Sequence, residues 1–322
     1  MSYLEGIMVG MASISWTADH IPDLSGRTAV VTGANSGLGF RVAVELARYG
    51  ATVVMACRDL RRGETALKQL GQEVGRSSVE LRQLDLSDLS SVRAFATEMK
   101  TAHRVLDILV NNAGIMAIPR QQTADGFEMQ LGVNHLGHFA LTGALLPCLA
   151  AAPDAKVVTV SSQMHAIGSI AFEDLMSERR YGPWRAYGQS KLANLLFTFE
   201  LQRRVDRAGL RISSLASHPG YAATNLQTAA LQTRKQAWIR QAGETVTRIV
   251  AQSAAQGALP TLYAATMTDA RGGEFFGPDS FGGSRGFPTR VKASAKAYNP
   301  PTAAQLWHRS TELTGVDYAA LA

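Results

Sequence analysis

Tyr187 and Lys191 are the residues of this 322-residue chain whose types and spacing speak most directly of chemistry. They bound the stretch Tyr187-Gly188-Gln189-Ser190-Lys191. Around them, over residues 184–204, Ala186, Leu192, Ala193, Leu195, Leu196 and Leu201 recur at helical spacing. Positions four apart share a helix face, so the phenol and the ammonium point the same way. A free phenol has a pKa near ~10 and exchanges protons poorly at neutral pH. A nearby ammonium favours the phenolate and lowers that pKa, which would let the tyrosine exchange a proton with a carbonyl oxygen. Taken alone the pattern is weak. The plainer alternative is a surface aromatic beside a solvated lysine, and the rest of the chain must decide.

The elements that would position this pair begin with residues 27–32, a short β-branched run read as a buried strand. Gly33-Ala34-Asn35-Ser36-Gly37-Leu38-Gly39 follows at once, and a helical pattern then runs over residues 38–49 and stops at Gly50. Strand, glycine-rich turn and helix together present free backbone N–H groups to a pyrophosphate. The glycine spacing is G-x3-G-x-G rather than the commoner G-x-G-x-x-G, so a turn that merely needs glycines is the competing reading. Residues 51–57 form the next strand. Its end is where NAD enzymes carry an acid that bonds the ribose 2′-hydroxyl. Here Cys57 stands there and Arg58 follows. A guanidinium suits a 2′-phosphate, which favours NADP(H) over a merely solvated arginine.

Residues 79–84 make a third strand, closed by Asp85-Leu86. The Asp85 carboxylate could accept from an adenine amino group or simply cap a turn near Ser87-Asp88. Residues 106–110 make a fourth, running into Asn111-Asn112-Ala113-Gly114. A helical stretch over residues 125–149 holds Asn134, with His135 and His138 read as surface or core residues without a role. Residues 156–160 make a fifth strand ending in Ser161-Ser162, and residues 210–215 a sixth followed by Ser217-His218-Pro219-Gly220. Residues 257–266 read as a helix, residues 272–276 as a turn into a last, edge-like strand, residues 277–301 as surface loops and residues 306–313 as a short terminal helix. No internal repeat is found. Alternating strands and helices predict an α/β fold: one Rossmann-type, doubly wound parallel sheet with helices on both faces, over residues 26–322, preceded by a loosely held arm over residues 1–25. Ligand then belongs at the carboxyl edge of the strands. Arg58, Asp85, Asn111, Ser162 and His218 all fall at strand ends on that edge, which lifts Tyr187 above the plainer reading.

Composition narrows the function. Hydrophobic residues are 46% and charged residues 18%, enough for a substantial core and against global disorder. The net charge of +6 could signal nucleic acid, but Lys and Arg are scattered. The densest group, Arg58, Arg61 and Arg62, follows a strand and points instead to a small phosphorylated ligand, with no nucleic-acid partner expected. The two cysteines, Cys57 and Cys148, lack metal-ligand spacing and lie in apolar segments. They read as reduced core residues of a cytoplasmic protein, with no metal expected. No basic, then apolar, leader opens the chain, and no apolar run reaches the ~18 residues a membrane span needs.

With these motifs in order, the chain resembles a classical short-chain dehydrogenase/reductase over residues 25–276. The resemblance rests on TGANSGLG from Thr32, NNAG from Asn111, Asn134, the Ser161-Ser162 pair, YGQSK from Tyr187 and, in support, HPG from His218. VNHLGHF from Val133, VSSQMH from Val160 and YGQSKLANLLF from Tyr187 are most similar to the branch of retinol dehydrogenases and WW-domain-containing oxidoreductases. The resemblance implies that Gly33, Asn35, Ser36, Gly37, Leu38 and Gly39 bind the pyrophosphate side of the cofactor. It assigns Arg58 to the 2′-phosphate and Asp85 with Leu86 to the adenine. Asn112, Ala113 and Gly114 would line the ribose side, and Pro219, Gly220 and Thr224 would hold the carboxamide end. Tyr187 is implied as proton donor or acceptor. Lys191 would bond the nicotinamide ribose and lower the Tyr187 pKa, Ser162 would hold the substrate carbonyl, and Asn134 would anchor a water leading to Lys191. Ser162 is chosen over Ser161 because the family's serine is usually the second of such a pair.

Ser162 stands 25 positions before Tyr187, more than the usual family spacing. The extra length, residues 164–184, would loop out and could cover the substrate. The expected activity is hydride transfer between NADP(H) and a small-molecule carbonyl or alcohol, with a homodimer or homotetramer as the assembly. Apolar Met116, Ile118, Met164, Ile167 and Trp184 hint at a lipophilic substrate. The competing readings are an NADP(H)-sensing interaction protein without turnover and a reductase of activated C=C bonds.

Overall fold

In the computed structural model, which describes residues 15–75, 78–221 and 253–321, the β-branched runs become the central strands of one open sheet. These are β1 (Thr28–Thr32), β2 (Thr52–Cys57), β3 (Val79–Gln83), β4 (Ile108–Asn111), β5 (Ala155–Val160), β6 (Ile212–Ser217), β7 (Phe275–Ser280) and β8 (Arg285–Arg290). Their order across the sheet is β3-β2-β1-β4-β5-β6-β7-β8. All neighbours pair in parallel except β7 and β8, which are antiparallel. Among the described residues the longer helices that cover it are α1 (Gly37–Arg48), α2 (Leu60–Val74), α3 (Leu89–Ala102), α4 (Gly137–Ala150), α5 (Pro183–Arg207), α6 (Ala254–Thr266) and α7 (Pro300–Thr314). The Rossmann-type, doubly wound architecture is therefore as the sequence predicts.

Side chains alternate across a strand, and β1 uses both faces. Val30 belongs to the core under α3, α4, α5 and α7, while Ala29 and Val31 belong to the core under α1, α2 and α6. Burying each such side chain contributes roughly 1.5–3 kcal/mol. That double coverage is why these strands read as unbroken apolar runs. Aspartates start two of the helices: Asp59 accepts from the Arg62 amide at the head of α2, and Asp88 from the Ser90 amide at the head of α3. Among the described residues no helix is long and apolar enough to cross a membrane.

Three expectations need correction. The strand at Phe275 is not the edge, because β8 pairs beyond it; residues 277–301 hold that strand, a 3-10 turn (Ala295–Tyr298) and the start of α7 rather than surface loops. Glycine and proline in that stretch disguise a half-exposed edge hairpin, where Pro288 is tolerable. The helix expected over residues 125–149 is interrupted. A helical turn at Met129–Leu131 passes into a π-helical turn at Gly132–Leu136, where the Gly137 amide bonds the Gly132 carbonyl, before α4 begins. Finally, the described part of the N-terminal arm is not loose. Ile21 and Leu24 are buried in the core, and Trp16 meets Tyr263 edge-on at 5.2 Å between ring centres.

Candidate active site

The strand order reverses between β1 and β4, which both leave the sheet at the same edge, and a cleft of about 300 Å³ opens there. The turn after β1 needs its glycines. Gly33 and Gly37 have φ of +66° and +58°, the left-handed region. A side chain on Gly39 would start 2.4 Å from Asn112 Nδ2 and 2.6 Å from the Gly33 carbonyl oxygen. Ser36, extended at the head of α1, makes no side-chain cap bond, so the first-turn amides keep their pull on an anion. Across the cleft, Asn112 Nδ2 donates to the Thr32 carbonyl at 2.8 Å, and the amides of Asn112 and Ala113 both donate to Thr32 Oγ1 at 2.9 Å.

Most of the expected cofactor residues come together here. Gly33, Asn35, Ser36, Gly37, Leu38 and Gly39 line the cleft on the α1 side. Arg58, Asp85 and Leu86, at the ends of β2 and β3, line it too, as do Asn112, Ala113 and Gly114 after β4, and Pro219 after β6. Asp85 also does what its plainer reading held: its Oδ1 accepts from the Ser87 amide and hydroxyl, at 2.9 and 2.6 Å. Cys57 is buried beneath the glycine turn. Burial pushes its thiol up to about 11, against the opposing pull of the Ala34 and Asn35 amides. Gly220 does not line the cleft; it turns at φ +64° beside the Ser284 carbonyl. Thr224 lies outside the described residues. A cradle of glycines, open amides and a basic rim fits a dinucleotide.

Tyr187 and Lys191 line the same cleft from α5, both buried. Ser162 hydrogen-bonds the Tyr187 side chain, and its Oγ accepts from the Met164 amide at 3.2 Å. Of the two serines it is Ser161 that lines the cleft, whereas Ser162 sits behind it against Tyr187; the Ser161 hydroxyl is spent on the Lys191 carbonyl at 2.8 Å. Lys191 Nζ donates to the Val160 carbonyl at 2.9 Å. The expected lowering of the Tyr187 pKa by Lys191 is not found. Burial pushes the phenol up to about 12, only partly opposed by the Ser162 bond, and burial lowers Lys191 to about 8. Desolvation wins over a partner that is itself desolvated. Burial thus keeps Tyr187 a neutral phenol near neutral pH.

Asn134, in the π-helical turn, is fully buried rather than facing water. Its Oδ1 accepts from the Ile115 amide at 2.9 Å, and its Nδ2 donates to the Ile115 carbonyl and Ser190 Oγ, both at 2.9 Å. Ser190 in turn donates to the Tyr187 carbonyl at 2.8 Å. A side chain on Gly114 would start 3.2 Å from Asn134 Oδ1 and 3.5 Å from Lys191 Nζ, so these two groups flank one point. His135 and His138 are both buried, and burial lowers them to about 3 and about 4. Sequence reasoning passed over Thr32, Ser190 and His138. The available signal was position: Thr32 ends the strand that feeds the glycine turn, and His138 stands four residues after Asn134.

The stretch between Ser162 and Tyr187 does not simply loop out. It is tied down by 3-10 turns at Gln163–Ile167 and Phe172–Asp174 and by side chains from α5. Gln189 accepts from the Ala171 amide at 3.0 Å and donates to the Leu175 carbonyl at 3.0 Å. Tyr181 donates to the Ile118 carbonyl at 2.7 Å, bracing the segment after β4. Ile115, Met116, Ile118 and Val133 make an apolar wall in the cleft. Met116 and Ile118 thus sit where the sequence expected them. Ile167 and Trp184 are instead largely exposed, at 64% and 50%. Among the described residues no group of three His, Cys, Asp or Glu side chains could hold a metal.

A parallel sheet that reverses at a glycine cradle, with a Ser-Tyr-Lys cluster at the far wall, defines a nucleotide-dependent oxidoreductase, and the chain belongs to the short chain dehydrogenase family, whose profile matches residues 27–235. Within it, the chain falls in the retinol dehydrogenase branch. Retinol dehydrogenase 12 of Homo sapiens is 42% identical over 293 residues, spanning 91% of this chain and 88% of that protein. A protein of uncharacterised function from Mycobacterium Paratuberculosis superposes with a TM-score of 0.78 at 48% identity, covering 94% of this chain and 99% of its own. A Beutenbergia cavernae protein assigned as an NAD(P) dependent gluconate 5-dehydrogenase, with NADP bound at low occupancy, superposes with a TM-score of 0.58 at 29% identity, covering 79% and 95%.

Proposed function

We infer that this chain is an NADP(H)-dependent oxidoreductase that interconverts a lipophilic carbonyl compound and its alcohol. The observation that carries the reading is the shared cleft: Tyr187 and Lys191 line the same cavity as the glycine turn and Arg58, with Ser162 bonded to Tyr187. The glycine turn would hold the pyrophosphate and Arg58 the 2′-phosphate, and the bound nicotinamide would supply or take the hydride. The chain's own residues then manage position and proton. Ser162 holds the carbonyl oxygen against Tyr187. Tyr187, neutral at physiological pH, donates its proton to that oxygen as negative charge develops there. Lys191, near its own titration point, restores the proton, with Asn134 beside it. The apolar wall of Ile115, Met116, Ile118 and Val133 favours a greasy substrate and keeps bulk water from the reacting carbon.

The relatives' name supports retinoid-like aldehydes and alcohols as the substrate class. The test is NADPH oxidation with all-trans-retinal, long-chain aldehydes and enones, and short hydrophilic aldehydes. Turnover of the lipophilic aldehydes with weak use of the hydrophilic ones is expected. Turnover confined to C=C reduction, or none with any carbonyl, would overturn the reading.

A further inference from the structure

His138 joins the two halves of the cleft, and its ring geometry fixes how. Its Nδ1 lies 3.1 Å from the Asn134 backbone carbonyl, and its Nε2 lies 2.9 Å from Thr32 Oγ1. A carbonyl only accepts, so Nδ1 must carry a proton. Burial lowers the ring to about 4, so it is neutral and Nε2 is left as an acceptor. The Thr32 hydroxyl therefore donates to Nε2, and its two lone pairs receive the Asn112 and Ala113 amides. Every polar atom is then matched. The Val110 carbonyl, at 3.3 Å from Thr32 Oγ1, is the longer alternative for that proton. The opposite tautomer would set the Nδ1 lone pair against the carbonyl oxygen and press a third donor on Thr32.

We propose that His138 is a positioning residue that couples the glycine turn to the proton-transfer group, holding Thr32 with one ring nitrogen and the Asn134 carbonyl with the other. Thr32 sets the spacing between the glycine turn and the residues after β4, across which the cofactor would lie. The Asn134 carbonyl belongs to the π-helical turn that aims the Asn134 side chain at Ile115 and Ser190, beside Lys191. One buried ring thus sets both cofactor fit and proton-group alignment. The proposal rests on the oxidoreductase reading only for its rate measurement.

Two substitutions separate the ring's two bonds. In His138→Asn the side-chain amide reaches the Nδ1 position, and in His138→Gln the Nε2 position. His138→Asn should raise the Kd for NADPH, read by fluorescence titration, about tenfold and lower kcat by less. His138→Gln should lower kcat about tenfold and raise that Kd by less. His135→Phe, one residue from Asn134 in the same buried stretch, is the control and should move neither. Identical effects from the two His138 variants, the reverse ranking, or the same changes in His135→Phe would overturn the proposal. Nitrogen-15 NMR of the cofactor-free protein gives a reading that needs neither turnover nor a folded variant. His138 should be neutral and protonated on Nδ1 at about pH 6.5, the pKa of a free imidazole. An Nε2-protonated or charged ring would overturn the proposal. If the wild type turns over no carbonyl, the function reading fails, while the Kd and NMR measurements still decide this one.

Discussion

Lys191 Nζ lies 5.7 Å from the centre of the Tyr187 ring, one helical turn away on α5, and is anchored by the Val160 carbonyl. Burial moves the two groups in opposite directions, the phenol up to about 12 and the ammonium down to about 8. The lysine is therefore the group that titrates within the working pH range. In the proposed mechanism its charged form resupplies Tyr187, and burial sets the loss of that form as pH rises through about 8. The rate of carbonyl reduction should be level below that pH and fall above it. Lys191→Met should lower the rate and remove the falling limb. A profile of kcat against pH that stays level well beyond 8 would contradict this.

The two serines divide their work. Ser161 Oγ is committed to the Lys191 carbonyl, while Ser162 faces Tyr187. Ser162→Ala should cost roughly 100-fold in kcat, in the range for a lost proton-positioning group. Ser161→Ala should cost ~1 kcal/mol of stability, the usual worth of one hydrogen bond, with a much smaller loss of rate. Steady-state kinetics and urea unfolding of both variants make the comparison. Equal losses of rate would show the assignment to be wrong.

Cofactor preference should follow Arg58. A charge-assisted bond contributes ~1.5–3 kcal/mol, so losing one should weaken NADPH by roughly 10- to 150-fold. Arg58→Leu is expected to do this and to leave NADH nearly unchanged. Cys57→Asp with Arg58→Ile should invert the preference, although Cys57 is buried against the Ala34 and Asn35 amides, so some stability will be lost. Titration of both cofactors against wild type and variants reads the result, and equal wild-type affinity for NADH would end the argument.

Acid should destabilise the fold through its buried histidines. Burial lowers His135 to about 3, and His138 and His218 to about 4, against 6.5 when unfolded. The unfolded chain therefore binds more protons throughout that window, and stability falls as pH drops from 6.5 towards 4. Each such group adds about 1.4 kcal/mol per pH unit to the slope. His135→Phe should make the slope shallower by about one proton's worth, measured as urea midpoints across the window. An unchanged slope would show that His135 is not buried neutral.

The sequence made the sheet and the cofactor edge legible because both rest on local patterns. Unbroken β-branched runs mark doubly covered strands, and glycines mark a turn that no other residue can make. Tyr187 and Lys191 were readable through their spacing of four. The rest depends on long-range packing. The spacing of Tyr187 and Lys191 points to a lowered phenol pKa, but burial, which a sequence does not display, raises it instead. His138 looked idle because its partner Thr32 is 106 positions away. The π-helical turn under Asn134 leaves the apolar periodicity almost intact and so reads as plain helix. β8 reads as loop because an edge hairpin tolerates the Gly and Pro that a central strand excludes.

The central claim is that Tyr187 gives the proton. NADPH binding and single-turnover reduction of a lipophilic aldehyde should be measured side by side for wild type and Tyr187→Phe. The phenyl ring keeps the packing and loses only the hydroxyl. The account predicts an NADPH Kd within about twofold of wild type and a reduction rate lower by at least ~100-fold. A Tyr187→Phe enzyme that reduces the aldehyde at near the wild-type rate would contradict it.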